Sequence, residues 1–373
     1  MLPRPLAFLA ALALSGTTGV AVGLLPGRAQ PDAGPRSAPV AGAGGGAGAD
    51  TPTGRPPGTD AAPGATPGAT PGGPGTGEGP AFVAFLDATR TPVLGLAAHA
   101  RRTGLRRYAV GHVIAEPGGC VPRWAGPAAG GTAVAFGDLR GPFADLRAGG
   151  GQAGLVLGGP AGRGLAGACA TVDDLAAAYR SLVTATGAAF LDFEVRDGGD
   201  HVAAERRARA VRALQEALPV RVGFTLELHP DGLAEQDVEL LRLTRRLGVD
   251  VTTVNLLAPV EARGRHTPYP VREVAALWEP RPETGASDGR LGRVASAVRA
   301  ARDQVAEAQG LTGAREAGRR IALTPVLDGP DGLSEADARR LSAFAGRHGL
   351  AWLSLRGPAQ DPAVARILWR TPA

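Results

Sequence analysis

The sequence predicts an α/β protein built around a (β/α)8 barrel, a TIM barrel, carried by residues 81–373. Short apolar runs alternate there with amphipathic stretches, and such alternation of strands and helices is typical of a parallel sheet. The pattern contains roughly eight strand–helix units, the number in a barrel that typically needs ~250 residues. Residues 1–80 lack this pattern and lie outside the predicted barrel.

The eight predicted strands are short apolar runs separated by polar or glycine-rich segments. They cover residues 81–86, 107–114, 152–157, 188–195, 220–228, 251–258, 320–327 and 350–355. Amphipathic patterns predict helices between several of these strands. The helices cover residues 172–184, 202–217, 235–247, 293–308 and 335–348.

An open doubly wound sheet is the alternative architecture. The segment Gly162-Arg-Gly164-Leu-Ala-Gly167 matches the Gly-x-Gly-x-x-Gly pattern that holds a pyrophosphate in dinucleotide-binding folds. Its glycines begin several residues after the third predicted strand, whereas a dinucleotide site needs them at the tip of the strand. Because a glycine-rich chain also produces this spacing by chance, the barrel is preferred and no cofactor is predicted.

The N-terminal segment predicts export. Arg4 precedes an apolar stretch that ends at Leu25, and small residues suited to cleavage follow it. Residues 1–29 are therefore interpreted as a signal peptide, or as an uncleaved signal anchor, since the stretch is nearly long enough to span a bilayer. Residues 30–80 are mostly Gly, Pro, Ala and Thr, which predicts a disordered linker. We expect a secreted or cell-surface protein that contacts membrane only through this segment, if uncleaved.

Composition excludes several classes of protein. The chain has 40 basic residues, all of them Arg, against 35 acidic residues, so its net charge is only +5. No stretch combines clustered Arg with aromatic residues, which argues against a nucleic-acid partner. Two cysteines exclude a multi-cysteine zinc site, and the six histidines are not at metal-ligand spacing. We therefore expect a monomer without a metal site.

The fourth predicted strand carries the ionisable residues of greatest interest. Side chains alternate along a strand, so Asp192, Glu194 and Arg196 share one face. In a barrel this face points inward, and the strand's C-terminal end lies at the mouth, where barrel enzymes place their chemistry. Two interpretations stay open: a self-compensating cluster neutralised by Arg196, or an active site with a carboxylate pair.

Several stretches, in this order along residues 81–356, resemble the family-18 glycoside hydrolases, in particular secreted actinobacterial chitinase-like proteins. The stretches are Val113-Ile-Ala-Glu-Pro-Gly-Gly-Cys-Val-Pro-Arg-Trp124, Gly158-Gly159, Leu165-Ala-Gly-Ala-Cys169, Phe224-Thr-Leu, Pro230-Asp-Gly-Leu233, Val254-Asn255, Leu323-Thr-Pro-Val326 and Gly349-Leu-Ala-Trp-Leu-Ser354. The resemblance implies the same barrel and a glycan of the cell wall or a chitin-like glycan as partner. It covers essentially the whole predicted domain.

The catalytic motif of that family is altered in this chain. Its fourth strand carries Asp-x-x-Asp-x-Asp-x-Glu, whose final Glu protonates the glycosidic oxygen and whose preceding Asp orients the acetamido group. The four positions are occupied here by Ala189, Asp192, Glu194 and Arg196. Because an arginine side chain cannot be deprotonated in proteins, Arg196 cannot act as the general acid.

Two further positions depart from the family. Glu261 stands where the family has the Tyr that helps to hold the acetamido group, and Arg356 replaces the Trp beneath the sugar. These changes together predict a non-hydrolytic barrel with a degenerate motif. Two alternatives stay open: a structural domain without a ligand, and a hydrolase with a relocated carboxylate pair. The candidate acids for such a pair are Glu194, Glu227, Glu261 and Asp328.

The remaining predictions concern ligand contacts and one covalent link. Trp124, Asn255 and Arg356 are the candidate ligand-binding residues, with Trp124 as the retained platform for a sugar ring. Cys120 and Cys169 are the only cysteines of a chain predicted to be exported, and they follow the second and third strands. Since oxidising compartments favour disulfides, we predict a bond between them.

Overall fold

A computed structural model describes residues 81–90, 93–126, 134–260, 289–327, 332–357 and 361–370. The predicted export segment 1–29, the predicted linker 30–80, Glu261 and Asp328 lie outside the described residues. Among the helices that are described, none is both long enough and apolar enough to cross a membrane.

Eight parallel strands close into a barrel. The remaining strand, the third in chain order, is short and pairs antiparallel with the second strand. The strands are β1 (Ala81–Asp87), β2 (Arg107–Ala115), β3 (Pro122–Trp124), β4 (Gln152–Gly158), β5 (Phe190–Glu194), β6 (Arg221–Glu227), β7 (Val251–Val260), β8 (Ile321–Leu327) and β9 (Trp352–Leu353). β1 pairs with both β2 and β9, so the sheet has no open parallel edge. The predicted (β/α)8 barrel is confirmed, and the open doubly wound sheet is wrong.

Helices surround the barrel in the expected alternation. They are α1 (Leu96–Thr103), α2 (Arg140–Ala148), α3 (Leu165–Ala168), α4 (Val172–Thr186), α5 (His201–Ala217), α6 (Glu235–Arg246), α7 (Arg290–Gln309), α8 (Ala314–Arg320), α9 (Glu335–His348) and α10 (Pro362–Arg370). A short 3-10 turn, Phe136–Leu139, precedes α2. The five helices predicted from the sequence correspond to α4, α5, α6, α7 and α9.

Local sequence signals explain where two of these helices begin and end. Thr171 accepts a hydrogen bond from the backbone N–H of Asp174 at the start of α4, and Ser334 does the same for α9. Gly187 and Gly349 end the same two helices with left-handed backbone, at φ 69° and 61°. Glycine tolerates that conformation without steric cost, so these positions stop each helix at a defined residue.

Alternation along β5 separates the two sides of the barrel wall. Leu191 and Phe193 are buried towards the helix layer, where the Phe193 ring lies 5.1 Å from Tyr179 and 5.5 Å from Phe224. Burying each such side chain stabilises the fold by about 1.5–3 kcal/mol. The same alternation turns Asp192 and Glu194 into the barrel, as the sequence predicts.

The predicted disulfide between Cys120 and Cys169 is confirmed. Cys120 lies in the turn between β2 and β3, and Cys169 directly follows α3. The bond closes a loop between residues 49 positions apart. In the chain-entropy account a loop of this length contributes ~4 kcal/mol of stability.

Candidate functional site at the barrel mouth

The centre of the barrel mouth, the C-terminal ends of the strands, is a buried carboxylate. Glu194 ends β5, and its side chain has no exposed surface. His112 from β2 donates from Nε2 to Oε2, with 2.9 Å between the two atoms. Arg356 Nη1 donates to the same oxygen at 2.5 Å, and Arg196 Nη2 donates to Oε1 at 3.1 Å. An imidazole and two guanidinium groups thus occupy both oxygens of Glu194.

These neighbours set the ionisation of Glu194. Burial alone would raise its pKa, but the hydrogen bond from His112 and the charge of Arg356 outweigh burial and lower the pKa to about 2. Glu194 is therefore an ionised carboxylate at neutral pH. A carboxylate in this state has no proton to donate to a leaving group.

Arg196 lies at the mouth as the motif alignment predicts. Its side chain is 39% exposed, and besides Glu194 it binds Glu227, with 3.0 Å between Nη1 and Oε2. The predicted pairing of Arg196 with an acid of its own strand is confirmed for Glu194. Glu227 ends β6 and is 44% exposed, so this second ion pair is screened by water.

A chain of hydrogen bonds runs beneath this cluster. The Thr225 hydroxyl donates to Asp192 Oδ2, Asn255 Nδ2 donates to Thr225 Oγ1 at 3.0 Å, and Thr324 Oγ1 donates to Asn255 Oδ1 at 2.8 Å. Burial raises the pKa of Asp192 to about 6, against the opposing effect of its hydrogen bond from Thr225. Asn255, a predicted ligand-binding residue, is 2% exposed. Its amide nitrogen and its amide oxygen both take part in this chain of hydrogen bonds.

Arg356 contacts an aromatic ring as well as the carboxylate of Glu194. Its Cζ lies 4.2 Å from the centroid of Phe85, and the rings of Phe85 and His112 are 4.9 Å apart. A cation over an aromatic face is stabilised by the ring quadrupole. Gly159 makes room for this stack, since a Cβ there would lie 2.5 Å from the His112 ring. Sequence reasoning missed the roles of Phe85 and His112, which lie on strands far from β5 in sequence.

The prediction that Trp124 offers an open platform for a sugar is wrong in this structure. β3 folds back antiparallel onto β2, which leaves Trp124 only 5% exposed. Its Nε1 donates to the backbone carbonyl of Val134 at 2.7 Å, and its ring lies 4.6 Å from Phe136. A sugar needs a free ring face, so Trp124 is a core residue here.

A cavity of about 200 Å³ lies beside the mouth cluster, which we define as His112, Glu194, Arg196, Glu227 and Arg356. Glu194 and Arg196 line one side of the cavity, and the glycine-rich segment 158–167 lines another. The glycine pattern thus lines this cavity and runs into α3, a helix of one turn that includes Gly167. Within the described chain, no group of three His, Cys, Asp or Glu side chains is placed to hold a metal ion.

Comparison with known sequences points to chitinases. No protein-family model matches the sequence. The chain is 27% identical over 186 residues to a probable bifunctional chitinase/lysozyme of Escherichia coli, covering 47% of this chain and 20% of that protein. It is 32% identical over 119 residues to endochitinase 11 of Metarhizium anisopliae, covering 30% of this chain and 23% of that protein. These matches span about a fifth of the length of either relative.

Solved structures show the same barrel. Active domain 2 of a thermostable chitinase from Pyrococcus furiosus, a catalytic-site mutant with chito-oligosaccharides, has a TM-score of 0.60 at 19% identity, covering 79% of this chain and 97% of that chain. A family-18 chitinase from Pseudoalteromonas aurantia has a TM-score of 0.50 at 9% identity, covering 77% and 97%. At these identities the likeness establishes the fold, and it agrees with the resemblance to family-18 chitinases.

Proposed function

We propose that this protein, whose barrel has the fold of family-18 chitinases, is an exported glycan-binding protein that does not hydrolyse its ligand. The observation that carries the proposal is the ionic state of the mouth cluster. An arginine stands at the general-acid position, and the strand's remaining mouth carboxylate, Glu194, is ionised and held by three partners. The proposed ligand is a glycan of the cell wall or a chitin-like glycan.

Loss of hydrolysis follows from proton chemistry. Cleavage of a glycosidic bond requires protonation of the leaving oxygen, and general acid–base catalysis contributes roughly 100- to 10,000-fold to rate. An arginine side chain does not serve as a proton donor in proteins, and Glu194 has lost its proton. Neither group can deliver a proton to a glycosidic oxygen.

Binding is the function that the mouth still supports. Arg196 and Glu227 are partly exposed there and present both donors and acceptors, which suit the hydroxyl and acetamido groups of a sugar. The adjacent cavity of about 200 Å³ offers a recess for one substituent of a ring. The relatives and solved structures described above are chitinases by name, which supports an N-acetylated glycan as the first ligand to test.

The experiment is a calorimetric titration of the full chain with chitin oligomers and with soluble peptidoglycan fragments. We expect one of them to bind, and Arg196→Ala to weaken that binding about fivefold or more, the effect of losing roughly 1 kcal/mol. The matched control is Arg209→Ala, which removes an arginine from the exposed pair with Glu205 on α5. Equal binding by wild type and Arg196→Ala would contradict a ligand site at the mouth.

A second candidate function is a hydrolase that uses the carboxylate pair of β5, Asp192 and Glu194, as its acid and base. Asp192 has a raised pKa, about 6, while Glu194 has a lowered one, about 2, and opposed shifts of this kind mark acid and base roles in many enzymes. Such an enzyme would lose turnover in both Asp192→Asn and Glu194→Gln, with each variant shown to be folded by circular dichroism. Turnover that survives both substitutions excludes this pair.

A further inference from the structure

The opposite end of the barrel holds a cavity that the mouth does not use. It lies at the base, the N-terminal ends of the strands, and has a volume of about 280 Å³. We define this basal cavity by Arg107, Gln152, Phe190, Arg221 and Trp352, which begin β2, β4, β5, β6 and β9. Arg319 of α8 lies at the same cavity. Three arginines therefore line one recess.

These arginines lack the carboxylates that accompany arginines at the mouth. Within the described chain, none of Arg107, Arg221 and Arg319 forms an ion pair, and the one acid in the lining of the cavity does not bind them. Arg221 instead donates from Nη2 to Gln152 Oε1 at 2.5 Å, and its Cζ lies 5.9 Å from the Phe190 centroid. Burial lowers the pKa of Arg221, and the charge of Arg107 lowers it further. The basal cavity thus holds positive charge that no carboxylate contacts in the described chain, and Arg221 and Arg319 are exposed to solvent.

One acid does reach this cavity from inside the barrel. Asp192 lines its inner end, where Gly223 leaves space, since a Cβ on Gly223 would lie 3.0 Å from Asp192 Oδ1. Thr225 already donates to Asp192 Oδ2, and the charges that act on the pKa of Asp192 come from Arg356, Glu194 and His112 at the mouth. Asp192 therefore receives its hydrogen bond from Thr225, and within the described chain no hydrogen bond or ion pair joins it to the basal arginines.

Apolar and aromatic side chains form part of the wall of the basal cavity. Phe190 and Trp352 are partly exposed and pack against the small barrel-core cluster of Val83, Ala109 and Val156. A recess with apolar walls and a few convergent polar groups is the usual form of a small-molecule site. Guanidinium groups match carboxylate and phosphate oxygens in both charge and geometry.

We propose that the basal cavity is a second binding site, for a small organic anion whose carboxylate or phosphate group binds Arg107 and Arg221. The apolar body of the ligand lies between Phe190 and Trp352. This site is separate from the glycan site proposed at the mouth and does not depend on it. It is a binding site, since barrel enzymes place their chemistry at the other end of the strands.

The test is isothermal calorimetry on the full chain with three probes: benzoate, phenyl phosphate and inorganic phosphate. We expect benzoate or phenyl phosphate to bind with a Kd below about 1 mM, and the stronger of the two identifies the anionic group. Arg107→Gln and Arg221→Gln should each weaken that binding at least tenfold, whereas Arg209→Gln should leave it unchanged. Melting without ligand supplies a second readout: Arg107→Gln should melt at the wild-type temperature or above it, because it removes repulsion from Arg221.

Three results would overturn the proposal. The first is that neither organic probe binds below about 1 mM. The second is that Arg107→Gln and Arg221→Gln, both folded, bind the organic probe as tightly as wild type. The third is that inorganic phosphate binds as tightly as phenyl phosphate and benzoate does not bind, which would remove any role for Phe190 and Trp352.

Discussion

The arginines at the two ends of this barrel differ in whether they bind carboxylates. At the mouth, Arg196 and Arg356 both bind Glu194, and Arg196 also binds Glu227. At the base, Arg107 and Arg221 face the basal cavity with no carboxylate partner in the described chain. Charges that satisfy one another stabilise a scaffold and leave no reactive acid, whereas charges left uncompensated in a recess favour binding of an anion from outside.

The largest expected effect comes from removing the anion at the centre of the mouth. Glu194→Gln leaves Arg356, which is 15% exposed, without a carboxylate, and we expect a loss of about 3–5 kcal/mol in the free energy of unfolding. Urea denaturation measures this loss. The control Glu205→Gln removes an exposed acid paired within α5 and should change stability by less than about 0.5 kcal/mol. Equal effects of the two substitutions would show that the mouth cluster contributes no more than a surface ion pair.

The disulfide should have the next largest effect, and it should act at the mouth side. Replacing Cys120 and Cys169 together by Ser should cost about 2–4 kcal/mol, since the unfolded chain regains freedom. Hydrogen exchange should then rise in the turn between β2 and β3 more than at the base, where Arg107 and Gln152 begin their strands. Uniform exchange at both ends would contradict a local role for the bond.

Stability should depend on pH in two opposite ways because of two neighbouring acids. The pKa of Glu194 is about 2 in the folded protein and 4.5 ordinarily, so its contribution is present above pH 4.5 and is lost as pH falls towards 2. The pKa of Asp192 is raised from 3.8 to about 6, so its ionisation opposes folding above pH 6, and this penalty disappears as pH falls towards 3.8. Burial raises the pKa of Asp237 to about 6 as well, which adds to the second effect.

We therefore expect the free energy of unfolding to increase as the pH falls from 7 to about 4, because the two aspartates outweigh Glu194 over that range, and to decrease below about pH 4. Chemical denaturation at a series of pH values measures the curve. Asp192→Asn should flatten the rise, and Glu194→Gln should flatten the acid decrease. A curve that is unchanged by either substitution would show that these two acids titrate alike in the folded and unfolded states.

The smallest effect is expected for the exposed arginine of the mouth. Arg196→Gln removes a side chain that is 39% exposed, and because water screens its ion pairs we expect a change of at most about 1 kcal/mol. Comparison with Glu194→Gln in the same denaturation series distinguishes the stability contributed by the buried acid of the mouth cluster from that contributed by its exposed arginine. A loss for Arg196→Gln as large as that for Glu194→Gln would place the structural centre of the cluster at Arg196.

The sequence predicted the barrel well because its signal is local. Apolar runs of strand length and amphipathic helices such as α4 and α9 repeat along the chain, and each can be recognised without its neighbours. Alternation along β5 was likewise enough to predict that Asp192 and Glu194 share the inner face.

The partners of Glu194 could not be read from one strand. His112 is 82 residues away in sequence and Arg356 is 162 residues away, and only barrel closure brings them together. Trp124 was placed wrongly because β3 has only three residues, too few for a periodic pattern, and its pairing with β2 buries the ring. The role of Phe85 could not be predicted from the sequence, because its contact with Arg356 joins β1 to residues that follow β9.

Turnover by the full chain of a fluorogenic chito-oligosaccharide, measured at pH 5 and pH 7, tests the absence of hydrolysis most directly. Because the resemblance to family-18 hydrolases assigns the general-acid position to Arg196, and because Glu194 is ionised, we expect no release of fluorophore above the buffer background at either pH. We expect Arg196→Glu to remain inactive too, since Glu261 and Arg356 still replace the residues that hold and stack the sugar in the resembling family. Turnover by the wild type that disappears in Glu194→Gln would contradict the non-hydrolytic function.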